Sequence, residues 1–419
     1  MSTEKQFIRS ERAHFMCPNM HFGILAKIRA KTDMQKIKDS LDRMAKAHPF
    51  LRSRIKYESD HKNLYYEIQD DSTIELFEKT DCSSIWEDYR KISETEWDVF
   101  AHGLLKVIVY PIGQEMSLLF VSHHLLGDGR CLLELVDEFT KLYVQNVEPD
   151  FVEERLITSI EELPENSNLT GISRYLVRSM NKKWRKEKTA VTYKEYTEFS
   201  NQFVKNNPVD HIIKSVEPQK LRRMKTECKK NQITLNDLLM AKAYIGLSTK
   251  KIIIAADVRD KISCYNKGAC GNYATAMGIV LKGKQKDVIK TAKEVHNQVK
   301  NHMESNRKLM LILACYLNMD AGLIDAAAIA TLGEFESKAA RFVGASMFGY
   351  LKRDGISITN LGHIQNPHII EATFIPPASP ATIQTIGVLT VNDHMQLCSS
   401  YYEHAVSKKV VRRQLDFMS

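Results

Sequence analysis

Two adjacent histidines, followed by an aspartate and a glycine, form the residue cluster in this sequence that best fits acid–base chemistry. The stretch VSHHLLGDGR (121–130) places His123, His124, Asp128 and Gly129 within seven residues. An imidazole held in one tautomer and one orientation is a competent general base near neutral pH. The aspartate need not accept a proton, because it can lock the turn by pairing with a cation elsewhere. The alternative is that both imidazoles are satisfied core histidines and that the Asp-Gly pair is a surface turn.

The flanking segments predict that this cluster lies in a turn between a strand and a helix. The stretch EMSLLFVSHH (115–124) is almost continuously apolar, which is typical of a buried central strand. Apolar residues recur at helical spacing over about 130–143, at Leu132, Leu133, Val136 and Phe139. A rigid strand end can therefore present an imidazole in a fixed direction.

The remaining sequence alternates strand and helix patterns in both halves. Helices are predicted at 34–47, with Asp33 as N-cap, and at 234–247, with Thr234 and Asp237 as a capping box. Strands are predicted at 22–30, 64–69, 105–111, 193–204, 251–260, 271–281, 355–364, 371–376, 385–391 and 395–403. This mixture predicts an α/β or mixed α+β architecture.

The 419 residues favour two domains or one large domain with two cores. A polar stretch, PENSNLTG (164–171), suggests a crossover at 166–190 between an N-terminal lobe (1–165) and a C-terminal lobe (191–419). The basic cluster KKWRKEK (182–188) could touch phosphates or a membrane surface, although a solvated linker face explains it more simply.

Composition excludes several classes of protein. With 43% hydrophobic and 26% charged residues, the chain has the make-up of a soluble globular protein. It has no apolar run of about 18 residues and no signal-peptide core, so a cytoplasmic location without a transmembrane segment is expected. The eight cysteines form no CxxC pair, and no metal site is predicted. The isolated histidines show no ligand spacing and receive no role: His14, His48, His61 and His102.

The formal net charge of +8 has two interpretations. It can serve solubility alone, or it can attract an anionic partner such as a phosphorylated cofactor, an acidic carrier protein or a membrane surface. Nucleic-acid binding is not supported, because there is no RNP-like aromatic pattern, zinc-finger spacing or basic tail.

The motif HHLLGDG (123–129) resembles the HHxxxDG signature of the CoA-dependent acyltransferase superfamily, which includes chloramphenicol acetyltransferases, BAHD acyltransferases, alcohol acetyltransferases and condensation domains. Other stretches resemble family segments in the same order along the whole chain: AHPFLRSRI, TLNDLLMAKA, ADVRDK, GNYAT and SITNLG. The BAHD motif DFGWG is absent, so the alcohol acetyltransferase or condensation-like branch fits better.

This resemblance implies two lobes of chloramphenicol-acetyltransferase type, each a mixed sheet flanked by helices, around a central tunnel. It implies that His124 is the catalytic base and that Asp128 is structural, with Gly129 in the turn. The partner of Asp128 in related enzymes is an arginine from the second lobe, and Arg259 matches it.

The resemblance also suggests supporting residues. Thr359 and Asn360, with Ser357 behind them, are the candidates for stabilising the oxyanion, although a strand end with polar caps explains them equally well. Gly271 and Asn272 are candidates for shaping the donor channel, or for a plain turn. His123 is expected to point inward for packing or hydrogen bonding.

Three functions follow as hypotheses. The first is transfer of an acyl group from acyl-CoA to the hydroxyl or amine of a small molecule, by direct attack and with no permanently bound cofactor. In the second the donor is an acyl carrier protein in a biosynthetic pathway. The third is a non-catalytic member that binds a thioester or a partner. Because one chain supplies both lobes, a monomer is expected.

Overall fold

The computed structural model describes residues 5–58, 63–247, 249–353 and 355–419, so His61 lies outside the described residues. The strands in the first part of the chain are β1 (Gln6–Phe7), β2 (His21–Ile28), β3 (Ser53–Tyr57), β4 (Leu64–Ile68), β5 (Glu75–Glu78), β6 (Leu105–Ile112) and β7 (Glu115–His123). Those that follow are β8 (Val209–Val216), β9 (Lys251–Asp257), β10 (Ala274–Val280), β11 (Gly355–Ile364), β12 (Ile369–Ile375), β13 (Thr382–Val391) and β14 (His394–Tyr402).

Helices flank these strands in both halves, as a mixed α/β architecture requires. In the first part they are α1 (Met34–Ala47), α2 (Ile85–Ser93), α3 (Gly129–Gln145), α4 (Gly171–Glu187), α5 (Tyr193–Asn206) and α6 (Pro218–Asn231). The later ones are α7 (Leu235–Leu247), α8 (Val288–Met303), α9 (Asn306–Leu309), α10 (Leu311–Asn318), α11 (Ala321–Leu332), α12 (Lys338–Phe342) and α13 (Lys408–Met418).

The strands form three sheets over the described residues. A small sheet has the order β1-β4-β3, a five-stranded sheet the order β12-β2-β7-β6-β5, and a six-stranded sheet the order β10-β9-β11-β13-β14-β8. Strand β7, which ends at the histidine pair, is central in its sheet and buried from Met116 to His123. Two large hydrophobic clusters, one per half, hold these sheets against their helices.

One strand crosses between the halves. Strand β12 belongs to the chain segment that we assigned to the second lobe, yet it pairs with β2 in the first-half sheet, antiparallel and with Ala372 opposite Ala26. The crossover 166–190 itself contains helix α4, which exposes its basic cluster and buries Trp184.

The strand predicted at 193–204 is wrong, because these residues form helix α5. Thr192 and Glu195 make a capping box, in which Oγ1 of Thr192 accepts from the Glu195 N–H at 3.2 Å and Oε2 of Glu195 accepts from the Thr192 N–H at 2.8 Å. The buried residues also recur at helical spacing: Tyr196, Ser200, Phe203 and Val204.

Among the described residues, no single helix is long and apolar enough to cross a membrane. Helices α10 and α11 together reach the required length and hydropathy, but they are bent by 108° relative to each other.

Candidate active site

The turn after β7 is built around the carboxylate of Asp128. This residue is the N-cap of α3, and its Oδ1 accepts from the N–H groups of Arg130 and Cys131, both at 3.0 Å. Gly129 follows at a point of close packing, where a Cβ would lie 2.8 Å from Cδ2 of Leu361. A side chain at position 129 would therefore force the Leu361 and Phe374 side chains to shift.

Arg259 from the second half completes the environment of Asp128. Its Nη2 lies 3.0 Å from Oδ1 and 3.2 Å from Oδ2 of Asp128, and Oδ2 also accepts from the Tyr273 N–H at 3.0 Å. Asp128 and Arg259 are 5% and 6% exposed, so the pair is held away from bulk water. The structure thus brings together two residues, 131 positions apart, that the family resemblance had paired.

Asn272 fixes the tautomer of His124. Nδ2 of Asn272 donates to the backbone oxygen of His124 at 2.8 Å, so its Oδ1 must face the imidazole, where it lies 2.8 Å from Nδ1. An amide oxygen can only accept, and Nδ1 therefore carries the proton while Nε2 keeps its lone pair. Asn272 thus orients the His124 ring, a more specific contact than the channel wall that we had expected.

The neighbouring glycine makes this arrangement possible. Gly271 has φ of +144°, a conformation that residues with side chains rarely adopt, and a Cβ there would lie 2.8 Å from the Tyr273 ring. Its carbonyl oxygen accepts from the Asp128 N–H at 3.1 Å. The loop that carries Asn272 is thereby attached directly to the histidine turn.

Burial lowers the pKa of His124 below the ordinary value of 6.5, although the hydrogen bond to Asn272 and the charge of Asp128 partly oppose the shift. The imidazole is therefore neutral at pH 7, which is the state that a general base requires.

His14 contributes a second imidazole that the sequence gave no reason to select. Its ring stacks on that of His124 with 4.0 Å between centroids and 6° between planes. Burial and the neighbouring histidines lower the pKa of His14 well below its usual value, so it is also neutral. Arg12, two residues earlier, forms a buried bidentate pair with Asp325 of α11 at 2.5 and 2.6 Å, which anchors the segment.

The His123 side chain is buried within the first half of the chain. Its Nδ1 accepts from the Leu125 N–H at 3.2 Å, and its ring meets Trp97 edge-on at 5.9 Å. Burial, together with the nearby His21 and His124, lowers its pKa to about 3. His123 is therefore a neutral packing residue, in the inward orientation that we had expected.

A cavity of about 400 Å³ opens at His124. Ser357 and Thr359 line it, whereas Asn360 does not and instead accepts from the Gly362 N–H at 2.9 Å. The cavity wall is formed by the N-terminal segment, α10, strands of the six-stranded sheet and the connection before β13. Its lining residues include Ala13, His14, Cys17, Met20, His124, Lys251, Ile253, Ala276, Gly278, Tyr316, Tyr350, Thr382 and Thr385.

A buried cluster of His48, Glu154 and Cys270 has the residue types of a metal site. His48 lies 3.0 Å from Glu154 and 2.9 Å from Glu138. Burial disfavours its charge, but the two hydrogen-bonded carboxylates outweigh burial and raise the pKa of His48 to about 10. Both ring nitrogens of His48 are thus engaged by carboxylate oxygens. Since Glu154 also accepts from the Cys270 N–H at 2.9 Å, the cluster braces the loop before Gly271.

Comparison with known proteins finds similarity in structure alone. No family model matches the sequence, and no curated protein matches it. The trichothecene 15-O-acetyltransferase from Fusarium sporotrichioides superposes with a TM-score of 0.65 and 12% identity, over 99% of this chain and 94% of that chain. The condensation domain of the Monacolin K polyketide synthase gives 0.61 and 12%, over 99% and 96%.

A third similar structure, the epimerization domain of tyrocidine synthetase B, gives a TM-score of 0.59 and 14% identity over 99% and 96% of the two chains. At these identities the likeness establishes the fold and leaves the activity open. The chain therefore has the two-lobed, chloramphenicol-acetyltransferase-like fold shared by condensation and epimerization domains and the trichothecene acetyltransferase.

Proposed function

We propose that the protein is an acyltransferase that moves an acyl group from a thioester to a hydroxyl or amine acceptor, with His124 as general base. The observation that carries this proposal is the orientation of His124. Its Nδ1 proton is committed to Asn272, and the ring lines a cavity large enough for small substrates. A base in this tautomer is ready to take a proton at Nε2.

The reaction is a direct displacement. Nε2 of His124 takes the acceptor proton while the acceptor oxygen or nitrogen bonds to the thioester carbonyl carbon. The tetrahedral intermediate collapses with cleavage of the C–S bond, and the imidazolium returns its proton to the departing thiolate. Binding both substrates in one cavity supplies the proximity that the first step needs.

Other side chains support the base. The hydroxyl of Thr359 is the candidate donor to the oxyanion, since Thr359 lines the cavity and Asn360 is not among its lining residues. The stacked ring of His14 restrains the plane of the His124 ring. Asp128 and Arg259 hold the turn and do not transfer protons.

The donor is proposed to be acyl-CoA, with an acyl carrier protein as the second candidate. The second candidate is favoured by the exposed basic side chains of α4, which would complement an acidic carrier: Arg178, Lys182, Arg185 and Lys186. Either donor presents the same kind of thioester to His124.

Thermal stabilisation by CoA, acetyl-CoA and longer acyl-CoAs tests the donor without knowledge of the acceptor. A ligand at about 100 times its dissociation constant adds about 2.7 kcal/mol to the folded state. A rise in melting temperature that depends on the length of the acyl chain supports acyl-CoA as the donor. If no CoA species raises the melting temperature but an acylated carrier protein does, the carrier protein is the donor.

Release of free thiol from the stabilising donor, measured with a panel of alcohols and amines, tests the chemistry. His124→Gln should abolish release while donor binding persists. His102→Gln, at an exposed histidine paired with Glu75, is the matched control and should release thiol at the wild-type rate. A His124→Gln variant with wild-type release would refute the proposal.

A further inference from the structure

The cavity wall formed by the six-stranded sheet carries a lysine between two glycines. Register places Lys251 of β9 beside Gly355 of β11, and Gly355 pairs with Thr382 of β13. The lysine stem lies over both neighbouring strands: its Cδ is 3.8 Å from the position of a Cβ on Gly355, and its Cε is 3.7 Å from that of a Cβ on Gly278. Side chains at these glycines would compete with the lysine for the cavity face.

Among the described residues that line the cavity, Lys251 is the one lysine, and there is no arginine. The described residues lining the cavity include no aspartate or glutamate, and burial keeps His14 and His124 neutral. Within the described part of the chain, the Lys251 ammonium has neither an ion pair nor a side-chain hydrogen bond. A positive charge on a cavity wall without a carboxylate is a recognition element for an anion.

Two buried hydroxyls on the same wall also lack partners. Thr382 and Thr385 are 2% and 3% exposed, and neither Oγ1 has a hydrogen-bond partner among the described residues. An extra residue in β13, between the pairs Gly355–Thr382 and Ile356–Gln384, turns both threonines to the same face. An unpaired buried hydroxyl is destabilising, and a ligand that hydrogen-bonds to it would remove that cost.

These groups form a track that leads toward the base. Ser357 lies across from Thr385 in the next row, and Thr359 lies two residues further along β11. Four residues of strand separate the backbone row of Lys251 from that of Thr359, about 13 Å along the strand. The Lys251 stem leans toward Gly278, which pairs with Ile253 in the row of Ser357, so the ammonium lies nearer to Thr359 than the backbone spacing alone gives. Because Thr359 and His124 line the same cavity, one extended molecule could reach both ends of the track.

We propose, on the basis of the acyl-transfer function above, that this wall binds a substrate that carries an anionic group in addition to its reacting carbon. The anion lies at Lys251, and polar groups between it and the reacting carbon meet the hydroxyls of Thr382, Thr385 and Ser357. The anion has two possible sources. It is the phosphate of the donor's phosphopantetheine arm, or it is a carboxylate at the far end of the acceptor.

Calorimetric titration with two pairs of probes separates these sources. The donor pair is phosphopantetheine and pantetheine, and the acceptor pair is a long-chain ω-hydroxy acid and its methyl ester. The charged member of one pair should bind the wild-type protein about ten-fold or more tightly than its uncharged counterpart. The pair that shows the preference identifies the source.

Variants then assign the preference to the lysine. Lys251→Met should remove it and Lys251→Arg should keep it, whereas Lys250→Met, at the exposed neighbouring lysine, should leave it unchanged. The inference is overturned if neither pair shows a charge preference in the wild type, or if the preference survives in Lys251→Met. If the charge preference is absent but thiol is still released, only the anion-binding inference fails and the acyl-transfer function stands. If no donor releases thiol, the acyl-transfer function itself is refuted.

Discussion

Replacing Arg259 by methionine tests whether its pair with Asp128 holds the turn between β7 and α3. Methionine keeps most of the apolar stem but removes the charge and the donors to Oδ1 and Oδ2 of Asp128. Both side chains of the pair are only 7% exposed, so water does not replace the missing partner. Breaking a buried ion pair from one side costs about 3–5 kcal/mol.

The expected loss lies at the lower end of that range, about 3 kcal/mol, because Asp128 retains three backbone donors. These are the N–H groups of Arg130, Cys131 and Tyr273, all at 3.0 Å. Urea denaturation measures the loss as a lower midpoint at constant slope. Arg185→Met is the control, since Arg185 is 70% exposed in its pair with Asp320 and such pairs contribute about 0–1 kcal/mol.

A double-mutant cycle with Asp128→Asn separates the pair from its surroundings. Asparagine can still cap α3 through its amide oxygen, so the cycle isolates the interaction with Arg259. The double variant should be more stable, by at least about 1 kcal/mol, than the sum of the single losses predicts. An Arg259→Met loss below about 1 kcal/mol, or single losses that simply add, would refute the reasoning.

Three further predictions concern the buried titratable groups. His14→Ala should lower the rate of acyl transfer by up to about ten-fold, because an aromatic pair contributes about 0.5–1.5 kcal/mol. His14→Phe keeps an aromatic ring against His124 and should keep most of the rate. If both variants lowered the rate equally, a stacking role for His14 would be excluded. The acid limb of the pH–rate profile should lie below pH 6.5, because burial lowers the pKa of His124, and a limb at or above that value would contradict a neutral buried base. Burial raises the pKa of Glu11 from 4.5 to about 7, against smaller opposing contributions from nearby hydrogen-bond donors. The stability this group contributes is thus present below pH 4.5 and lost, by about 3 kcal/mol, as pH rises through 7. Urea denaturation between pH 4.5 and 7 should show that the free energy of unfolding of Glu11→Gln lacks this decrease. If the free energy of unfolding fell equally with pH in the wild type and in Glu11→Gln, the prediction would be wrong.

The strand-to-helix turn at the histidine pair could be predicted from the sequence because its determinants are local. A nearly continuous apolar strand, a glycine and a helical apolar pattern follow one another along the chain, and each has a physical signature that a single sequence displays. The role of Asp128 as N-cap of α3 came from the structure. The link to Arg259 came only through the family resemblance. No periodicity relates Asp128 to a residue in the other half of the chain.

Other features depended on contacts that the sequence does not display. Residues 193–204 carry four aromatic residues, which favour strands, and this propensity concealed the capping box of Thr192 and Glu195. His14 lies 110 positions from His124, in a segment whose spacing has no catalytic signature. The roles of Asn272 and Asn360 differ because one amide faces an imidazole and the other faces a backbone N–H, a distinction of orientation that requires the structure.

The crossing of β12 makes the two halves dependent on each other for folding. A fragment that stops after the crossover would leave β2 as an unpaired edge, with a row of free backbone groups along the almost entirely buried stretch from His21 to Ile28. Such an edge is prone to aggregation. The complementary fragment would carry β12 without its partner strand. Splitting the gene would thus yield two pieces that need to refold together, and activity regained on mixing them would report reassembly of a single sheet from two polypeptides.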